Sequence, residues 1–116
     1  MLKYQGNCHC GKVRFEVESE PVTKGLRCNC SICKRKGAMM SPFTYAPDKL
    51  KIKGRENLGL YQFGSKVAKH YFCKNCGIYT FHETMRVPGH FRFNLGCVDE
   101  LDTFELNFEV FDGKSL

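Results

Sequence analysis

Seven of the eight cysteines lie in three short clusters, and this grouping is the strongest chemical signal in the sequence. Thiolates are soft ligands that zinc prefers, and a tight C-x-x-C turn aims two sulfurs at one ion. Gly77 directly follows one such turn and lets the backbone fold back towards the sulfurs. The clusters, called first, middle and last, are Cys8-x-Cys10, Cys28-x-Cys30-x-x-Cys33 and Cys73-x-x-Cys76.

The number of ligands predicts two metal sites of different kinds. A structural zinc takes four closed ligands, commonly as two pairs from distant parts of the chain, and the first and last clusters supply such a set. The middle cluster then keeps three ligands, which leave the fourth tetrahedral position to water or a substrate atom, as in catalytic zinc sites. Spacing alone also permits the middle cluster to pair with the last one and leave the first idle.

The hydrophobic pattern predicts the elements that position these cysteines. Val13, Phe15 and Val17 alternate with charged residues, as in a half-buried strand. No segment keeps a 3.6-residue period for three turns, and only residues 31–37 fit a short helical turn. We therefore expect a mainly β single domain, residues 1–116, of short antiparallel strands. The strand candidates are 13–18, 39–44, 49–53, 59–63, 67–72, 78–82 and 91–95.

The number of cysteines and the net charge indicate the cellular compartment and the type of surface. Neighbours in C-x-C are badly placed to form a disulfide, and the N-terminus MLKYQGNCHCGK has no apolar signal segment. No stretch approaches a membrane span, so we expect the cytoplasm or the nucleus, where thiols stay reduced. The net charge of +6 is spread along the chain, on lysines that alternate with apolar residues. This distribution indicates that the lysines form the solvated face of half-buried strands rather than a nucleic-acid-binding surface.

Four segments carry a family resemblance in the same order along the chain. They are GNCHCGKVRF at 6–15, CNCSICKRKGA at 28–38, FCKNCG at 72–77, and RFNLG at 92–96 with Asp99. Together they resemble the motifs of glutathione-dependent formaldehyde-activating enzymes and their centromere protein V relatives. Four ordered motifs are far more specific than a single C-x-x-C.

The resemblance implies a β-tent, in which antiparallel sheets meet at a structural zinc. The implied ligands of that zinc are Cys8, Cys10, Cys73 and Cys76. The implied ligands of a second, more labile zinc at the reactive site are Cys28, Cys30 and Cys33. Family chemistry is the making or breaking of a carbon–sulfur bond, and the type case joins glutathione to formaldehyde. Members named for that reaction are usually longer, so the resemblance leaves the thiol and the aldehyde open.

Three cations follow the middle cluster directly: Lys34, Arg35 and Lys36. Beside an open zinc they would attract the carboxylates of a peptide thiol such as glutathione. The other interpretation is an ordinary solvated turn.

Other residues give weaker signals. His82 is interpreted as a strand-end histidine rather than a ligand of the reactive zinc. Cys97 is interpreted as a small buried hydrophobic residue. Arg92 and Asn94 have the pattern of surface residues, whereas the resemblance implies a structural or site-facing role. Tyr79, like the aromatic residues near it, is expected to pack on the sheet.

Two functional hypotheses follow. The first is a zinc-dependent carbon–sulfur lyase that acts on adducts of a small, glutathione-like thiol with an aldehyde. A thiol at the open position loses its proton near neutral pH, and three thiolate ligands suit the exchange of a soft sulfur better than the activation of water. The alternative is a non-catalytic zinc-binding module that contacts nucleic acid or a protein partner. The surplus third ligand of the middle cluster argues for the enzyme.

Overall fold

Nine strands and one short helix position the cysteine clusters in the computed structural model, which describes residues 1–116. The chain is therefore mainly β, as predicted, and no helix is long and apolar enough to cross a membrane. The strands are β1 (Leu2–Asn7), β2 (Arg14–Ser19), β3 (Lys24–Cys28), β4 (Leu50–Lys53), β5 (Leu58–Tyr61), β6 (Lys69–Cys73), β7 (Tyr79–Glu83), β8 (Phe91–Phe93) and β9 (Asn107–Phe111). The helix α1 is Ser31–Lys36, and 3-10 turns lie at Pro47–Lys49, Arg55–Asn57, Leu95–Cys97 and Gly113–Ser115.

Two antiparallel sheets build the body of the fold. The first has the order β1-β2-β4, and the second has the order β5-β6-β7-β8. In β2 the alternation predicted from the sequence holds, because Phe15 and Val17 are buried while their charged neighbours are more exposed. In the second sheet, β6 and β7 place His70 opposite His82.

The third sheet departs from the prediction of antiparallel pairing. It has two strands, β3 and β9, and they run parallel, with Cys28 opposite Phe111. A parallel pair needs a long crossover, and here most of the chain lies between the two strands. This pairing brings the C-terminal segment to the middle cysteine cluster.

An aromatic core joins the first two sheets. Phe15 of the first sheet meets Phe81 of the second edge-to-face, with ring centroids 5.6 Å apart, and lies 5.6 Å from the ring of Phe93. Phe81 and Phe93 are fully buried, as expected for residues at a junction of two sheets. Cys8 and Cys73 belong to the same core, so the first and last clusters meet where the two sheets meet.

The strand predicted at 39–44 does not form. Met40 makes only single bridges, to Leu26 and to Asn94, and Ser41 donates its N–H to the carbonyl of Phe93 at 2.9 Å. The segment instead crosses between β3 and the end of β8. The other predicted strands are present with shifted ends, whereas β1, β3 and β9 have no counterpart in the prediction.

Candidate metal centres and their surroundings

The structure brings the first and last clusters together. The four Sγ atoms of Cys8, Cys10, Cys73 and Cys76, here called the four-thiol group, all lie within 4.8 Å of one another. The Sγ–Sγ distance is 3.6 Å for Cys8 and Cys10, and 3.7 Å for Cys10 and Cys73. A tetrahedral ion with zinc–sulfur bonds of about 2.3 Å requires sulfurs about 3.8 Å apart, so the spacing fits zinc.

Two tight turns shape the four-thiol group. Gly11 donates its N–H to the carbonyl of Cys8 at 3.2 Å, and Gly77 donates to that of Cys73 at 2.8 Å. Gly77 has a φ of 78°, a conformation that glycine adopts without strain, in agreement with its expected role. The N–H of Val13 points at Cys8 Sγ from 3.3 Å, as is favourable for a thiolate.

Charge and burial act differently on the individual thiols of this group. Hydrogen bonds from the Asn75 side chain and from the backbone of Lys12 lower the pKa of Cys10 to about 6. Burial raises the pKa of Cys73. Since metal ligands must be thiolates, a divalent cation would supply the positive charge that buried Cys73 lacks.

The middle cluster forms a second, separate group. The Sγ atoms of Cys28, Cys30 and Cys33, here called the three-thiol group, lie within 4.8 Å of one another, and no fourth cysteine, histidine or carboxylate joins them. All three cysteines are partly exposed, whereas Cys8 and Cys73 of the four-thiol group are fully buried. The alternative pairing of the middle with the last cluster does not occur in this structure.

Helix α1 and the end of β3 position the three-thiol group. Cys28 ends β3, Cys30 is the N-cap of α1, and Cys33 lies one turn into the helix. The N–H of Cys30 lies 3.5 Å from Cys28 Sγ. Burial raises the pKa of Cys33 to about 12, so a cation is again needed to hold this sulfur as thiolate. Three convergent soft donors fit zinc with one position free.

The C-terminal segment packs against the three-thiol group. Asn29 donates its amide to Asp112 Oδ1 at 3.0 Å and accepts the N–H of Lys114 at 2.8 Å. A Cβ added to Gly113 would collide with Cys28 Sγ, so the backbone at this position lies against the sulfur. Sequence reasoning assigned no role to this segment, because its contact depends on the β3–β9 pairing.

The three cations after Cys33 differ in burial. Lys34 and Arg35 are exposed, and Arg35 donates to the carbonyl of Ser31 in its own helix at 2.9 Å. Lys36 turns inward and donates to His70 Nδ1 at 2.7 Å, with its Nζ 3.6 Å above the ring centroid of Tyr79. Burial lowers the pKa of Lys36 to about 8, although the nearby thiols of the three-thiol group act in the opposite direction.

Two neutral histidines and a tyrosine surround Lys36. Burial lowers the pKa of His70 to about 4 and that of His82 to about 2, so both rings are neutral at physiological pH. The Tyr79 hydroxyl hydrogen-bonds to His82 Nδ1, which fixes the tyrosine ring. His82 is thus not part of the three-thiol group, as expected, whereas Tyr79 does more than pack. His70 carried little signal in the sequence.

A cavity of about 520 Å³ opens beside this lysine. Its walls include the cations Arg35 and Lys36 but no carboxylate, and Ile78 and Tyr79 contribute apolar surface. Asn94 also lines it and donates its amide to the carbonyl of Tyr79 at 2.9 Å, in line with the site-facing role that the resemblance implied. The cavity therefore presents positive charge and hydrogen-bond donors next to the three-thiol group.

Two residues outside the cavity have structural roles. Arg92 donates to the carbonyl of Ser41 at 2.7 Å and is partly buried, so the surface pattern was misleading there. Cys97 is buried and belongs to neither thiol group, as expected for a small apolar side chain.

The fold and the two thiol groups define a mainly β protein with two places that could hold metal ions, one with four sulfur ligands and one with three. Comparison with known families identifies it further. The sequence model described as glutathione-dependent formaldehyde-activating enzyme matches residues 3–114, and the chain belongs to that family.

Individual relatives agree with this assignment. The chain is 33% identical over 79 residues to a Halomonas elongata protein that carries the family's name. That match covers 62% of this chain and 50% of the relative, so the chain spans about half the length of the curated relative it matches. A crystal structure of a Rhodobacter sphaeroides protein is similar with a TM-score of 0.81 and 38% identity, covering 90% of this chain and 99% of that one.

Proposed function

We propose that this chain is a zinc-dependent carbon–sulfur lyase that acts on adducts of a small, glutathione-like thiol with an aldehyde. The observation that carries the proposal is the difference between the two thiol groups. The four-thiol group has a full set of four sulfurs, with Cys8 and Cys73 buried. The three-thiol group is partly exposed and lacks a fourth ligand, and its helix α1 carries Arg35 and Lys36, which line a cavity. A tetrahedral ion at three donors has one position free for a substrate sulfur.

Each group has its own role in the proposal. Cys8, Cys10, Cys73 and Cys76 hold a structural zinc. Cys28, Cys30 and Cys33 hold a labile zinc, which when bound would stabilise the thiolate form of a substrate thiol near neutral pH.

The chain itself supplies binding and orientation. Lys34, Arg35 and Lys36 create positive potential beside the three-thiol group, which attracts a thiol that carries carboxylates. The C-terminal segment at Gly113 packs against Cys28 and restricts access there. Ile78 and Tyr79 contribute apolar surface to the cavity wall. A reducing compartment such as the cytoplasm keeps all these thiols free to bind metal.

The family name and the open three-thiol group favour this proposal over a non-catalytic module that binds nucleic acid or protein. The positive residues near the site converge on a cavity of about 520 Å³, which has the size of a small-molecule site.

Thiol–aldehyde exchange measured by NMR tests the proposal. With glutathione and ¹³C-formaldehyde, the zinc-loaded protein should exchange free and thiol-bound formaldehyde faster than buffer alone. Cys30→Ser should reduce exchange to the uncatalysed rate while the melting temperature stays near that of the parent, because only the three-thiol group loses a ligand. Cys97→Ala, which removes a thiol outside both groups, is the matched control and should keep exchange. A fully active Cys30→Ser protein would contradict the proposal.

A further inference from the structure

Lys36 is a half-buried cation without a carboxylate partner. The structure holds two ion pairs, Lys24–Glu109 and Lys49–Glu18, and Lys36 belongs to neither. Burial of a charge is costly, and the sulfurs of the three-thiol group offset this cost only in part, because the pKa of Lys36 stays below its usual value. Its neighbour Lys34 on the same helix is exposed and carries no such cost.

Neutral groups hold the ammonium in place. His70 Nδ1 accepts one N–H at 2.7 Å, and the face of Tyr79 lies 3.6 Å away and attracts the charge by a cation–π interaction. Accepting at Nδ1 places the proton of neutral His70 on Nε2, which is buried without a hydrogen-bond partner. Neither contact neutralises Lys36, and an ammonium has three N–H groups, so one donor is left for a ligand.

This donor belongs to a residue that is near both the cavity and the three-thiol group. Lys36 lines the cavity, and it is close enough to Cys28, Cys30 and Cys33 to interact with their charges. No carboxylate lines the cavity to compete for the ammonium. A small electrophile that met a sulfur at the three-thiol group would therefore have the ammonium beside it.

The proposed reaction needs such a donor. When a sulfur adds to an aldehyde, negative charge develops on the aldehyde oxygen. A metal that already has three thiolate ligands attracts an oxygen only weakly, so another group must stabilise this charge. A preorganised donor in a water-poor site is the usual protein solution.

We propose that Lys36 is a catalytic residue whose ammonium donates a hydrogen bond to the aldehyde oxygen as the carbon–sulfur bond forms, with His70 and Tyr79 as positioning residues. This inference rests on the proposed function.

The step balances without a redox partner. The thiol releases its proton to solvent when it becomes thiolate. The sulfur lone pair forms the carbon–sulfur bond, the π pair of the carbonyl moves to oxygen, and the hydrogen bond from Lys36 stabilises that oxygen until it takes one proton from solvent. The product is the neutral hydroxyalkyl thioether, and the reverse sequence releases thiol and aldehyde.

Exchange with a neutral thiol separates this role from carboxylate binding. With glutathione diethyl ester and formaldehyde, Lys36→Met should lower kcat about 100-fold with little change in KM for the thiol, since loss of a transition-state donor costs about 10²–10³ in kcat. Lys36→Gln, which keeps an N–H and loses the charge, should show a smaller loss in the same direction. Lys3→Met removes an exposed cation of β1 that does not line the cavity, and it should keep the parent kcat. Zinc content and melting temperature are measured for every variant.

The outcomes are distinct. A parent protein without exchange activity would overturn the proposed function and this inference together. An active parent whose Lys36→Met and Lys36→Gln variants keep kcat with the ester, or lose rate only with free glutathione, would overturn the role of Lys36 alone. Loss of zinc in both variants would reassign Lys36 to support of the three-thiol group and would also overturn it. Reduced kcat at parent zinc content would support it.

Discussion

At the scale of single residues, burial and hydrogen bonds set different conditions for chemically identical thiols. Hydrogen bonds from Asn75 and the backbone lower the pKa of Cys10 to about 6, whereas burial raises that of Cys33 to about 12. A zinc ion would stabilise both sulfurs as thiolates, but deprotonation of the buried Cys33 thiol costs more free energy than deprotonation of Cys10. Because the three-thiol group also offers one sulfur fewer, we expect it to bind its metal less tightly than the four-thiol group does.

Exposed cations beside the three-thiol group are predicted to act on substrate affinity. The double variant Lys34→Ser/Arg35→Ser should raise KM for glutathione a few-fold, because exposed charge interactions contribute about 0.2–1 kcal/mol. The diethyl ester of glutathione should be unaffected, and the difference should shrink between about 50 and 200 mM salt as screening increases. Steady-state exchange kinetics with both thiols measure this. Equal changes in KM for the two thiols would show that Lys34 and Arg35 belong to an ordinary solvated turn without a role in binding.

At the scale of elements, the three-thiol group depends on a strand that lies far away in sequence. Strand β9 pairs with β3 and delivers Gly113 to Cys28, while Asn29 fixes the segment through Asp112 and the backbone of Lys114. Only glycine, which has no Cβ, leaves room for Cys28 Sγ at position 113. The group is therefore built by α1, by β3 and by the C-terminus together.

Gly113→Ala is predicted to disturb the three-thiol group selectively. The added methyl group would collide with Cys28 Sγ and crowd Cys30, which lies 3.2 Å from the added carbon. We expect faster loss of one zinc to a chelator, slower thiol–aldehyde exchange and a melting temperature close to that of the parent. Chelation followed with a zinc indicator measures this. Lys114→Ala, a change in the same exposed segment that keeps the backbone N–H to Asn29 and adds no atom near the sulfur, is the control. Equal chelation rates for the two variants would refute the prediction.

The sequence predicted elements well where local pattern decides them. Alternation of Phe15 and Val17 with charges marks β2, and the wrongly predicted strand at 39–44 contains Pro42, which has no N–H to donate to a ladder. Strand β9 was missed although Leu106, Phe108 and Val110 alternate with Asn107 and Glu109. This alternation does not mark a buried face, because the side chains of β9 are largely exposed. The pairing of β9 with β3, which lies far away in sequence, could not be read from the local pattern.

The candidate site also combines features that local sequence determines with features that depend on tertiary contacts. Spacing sorted the cysteines into three clusters, since turns and helix starts are local structures that fix where neighbouring sulfurs point. Spacing left open which clusters share a metal, and the family resemblance implied the combination of the first with the last. The surroundings of Lys36 were not predictable, because His70 and Tyr79 reach it through the β6–β7 sheet and the docking of α1. Their roles follow from tertiary contacts that no sequence interval encodes.

At the scale of the whole molecule, the four-thiol group lies where two sheets meet. Cys8 follows the first strand of one sheet and Cys73 ends the second strand of the other, and both are packed in the core with Phe15 and Phe81. A zinc at this junction would cross-link the two sheets, and structural zinc contributes on the order of 10 kcal/mol to small zinc folds. The three-thiol group lies at the periphery of this core and cross-links no pair of large sheets.

Metal removal is therefore predicted to proceed in two stages with different consequences. The protein as isolated should contain two zincs. A mild chelator should first remove one of them without changing the circular dichroism spectrum. The reason is that the open position of the three-thiol group admits the chelator before any cysteine must leave. Cys30→Ser should contain one zinc and stay folded, whereas Cys8→Ser should unfold or melt far below the parent. Elemental analysis and thermal melts measure both. A Cys8→Ser protein with near-parent melting, or a Cys30→Ser protein that unfolds, would show that the middle cluster and not the sheet junction carries the structural metal.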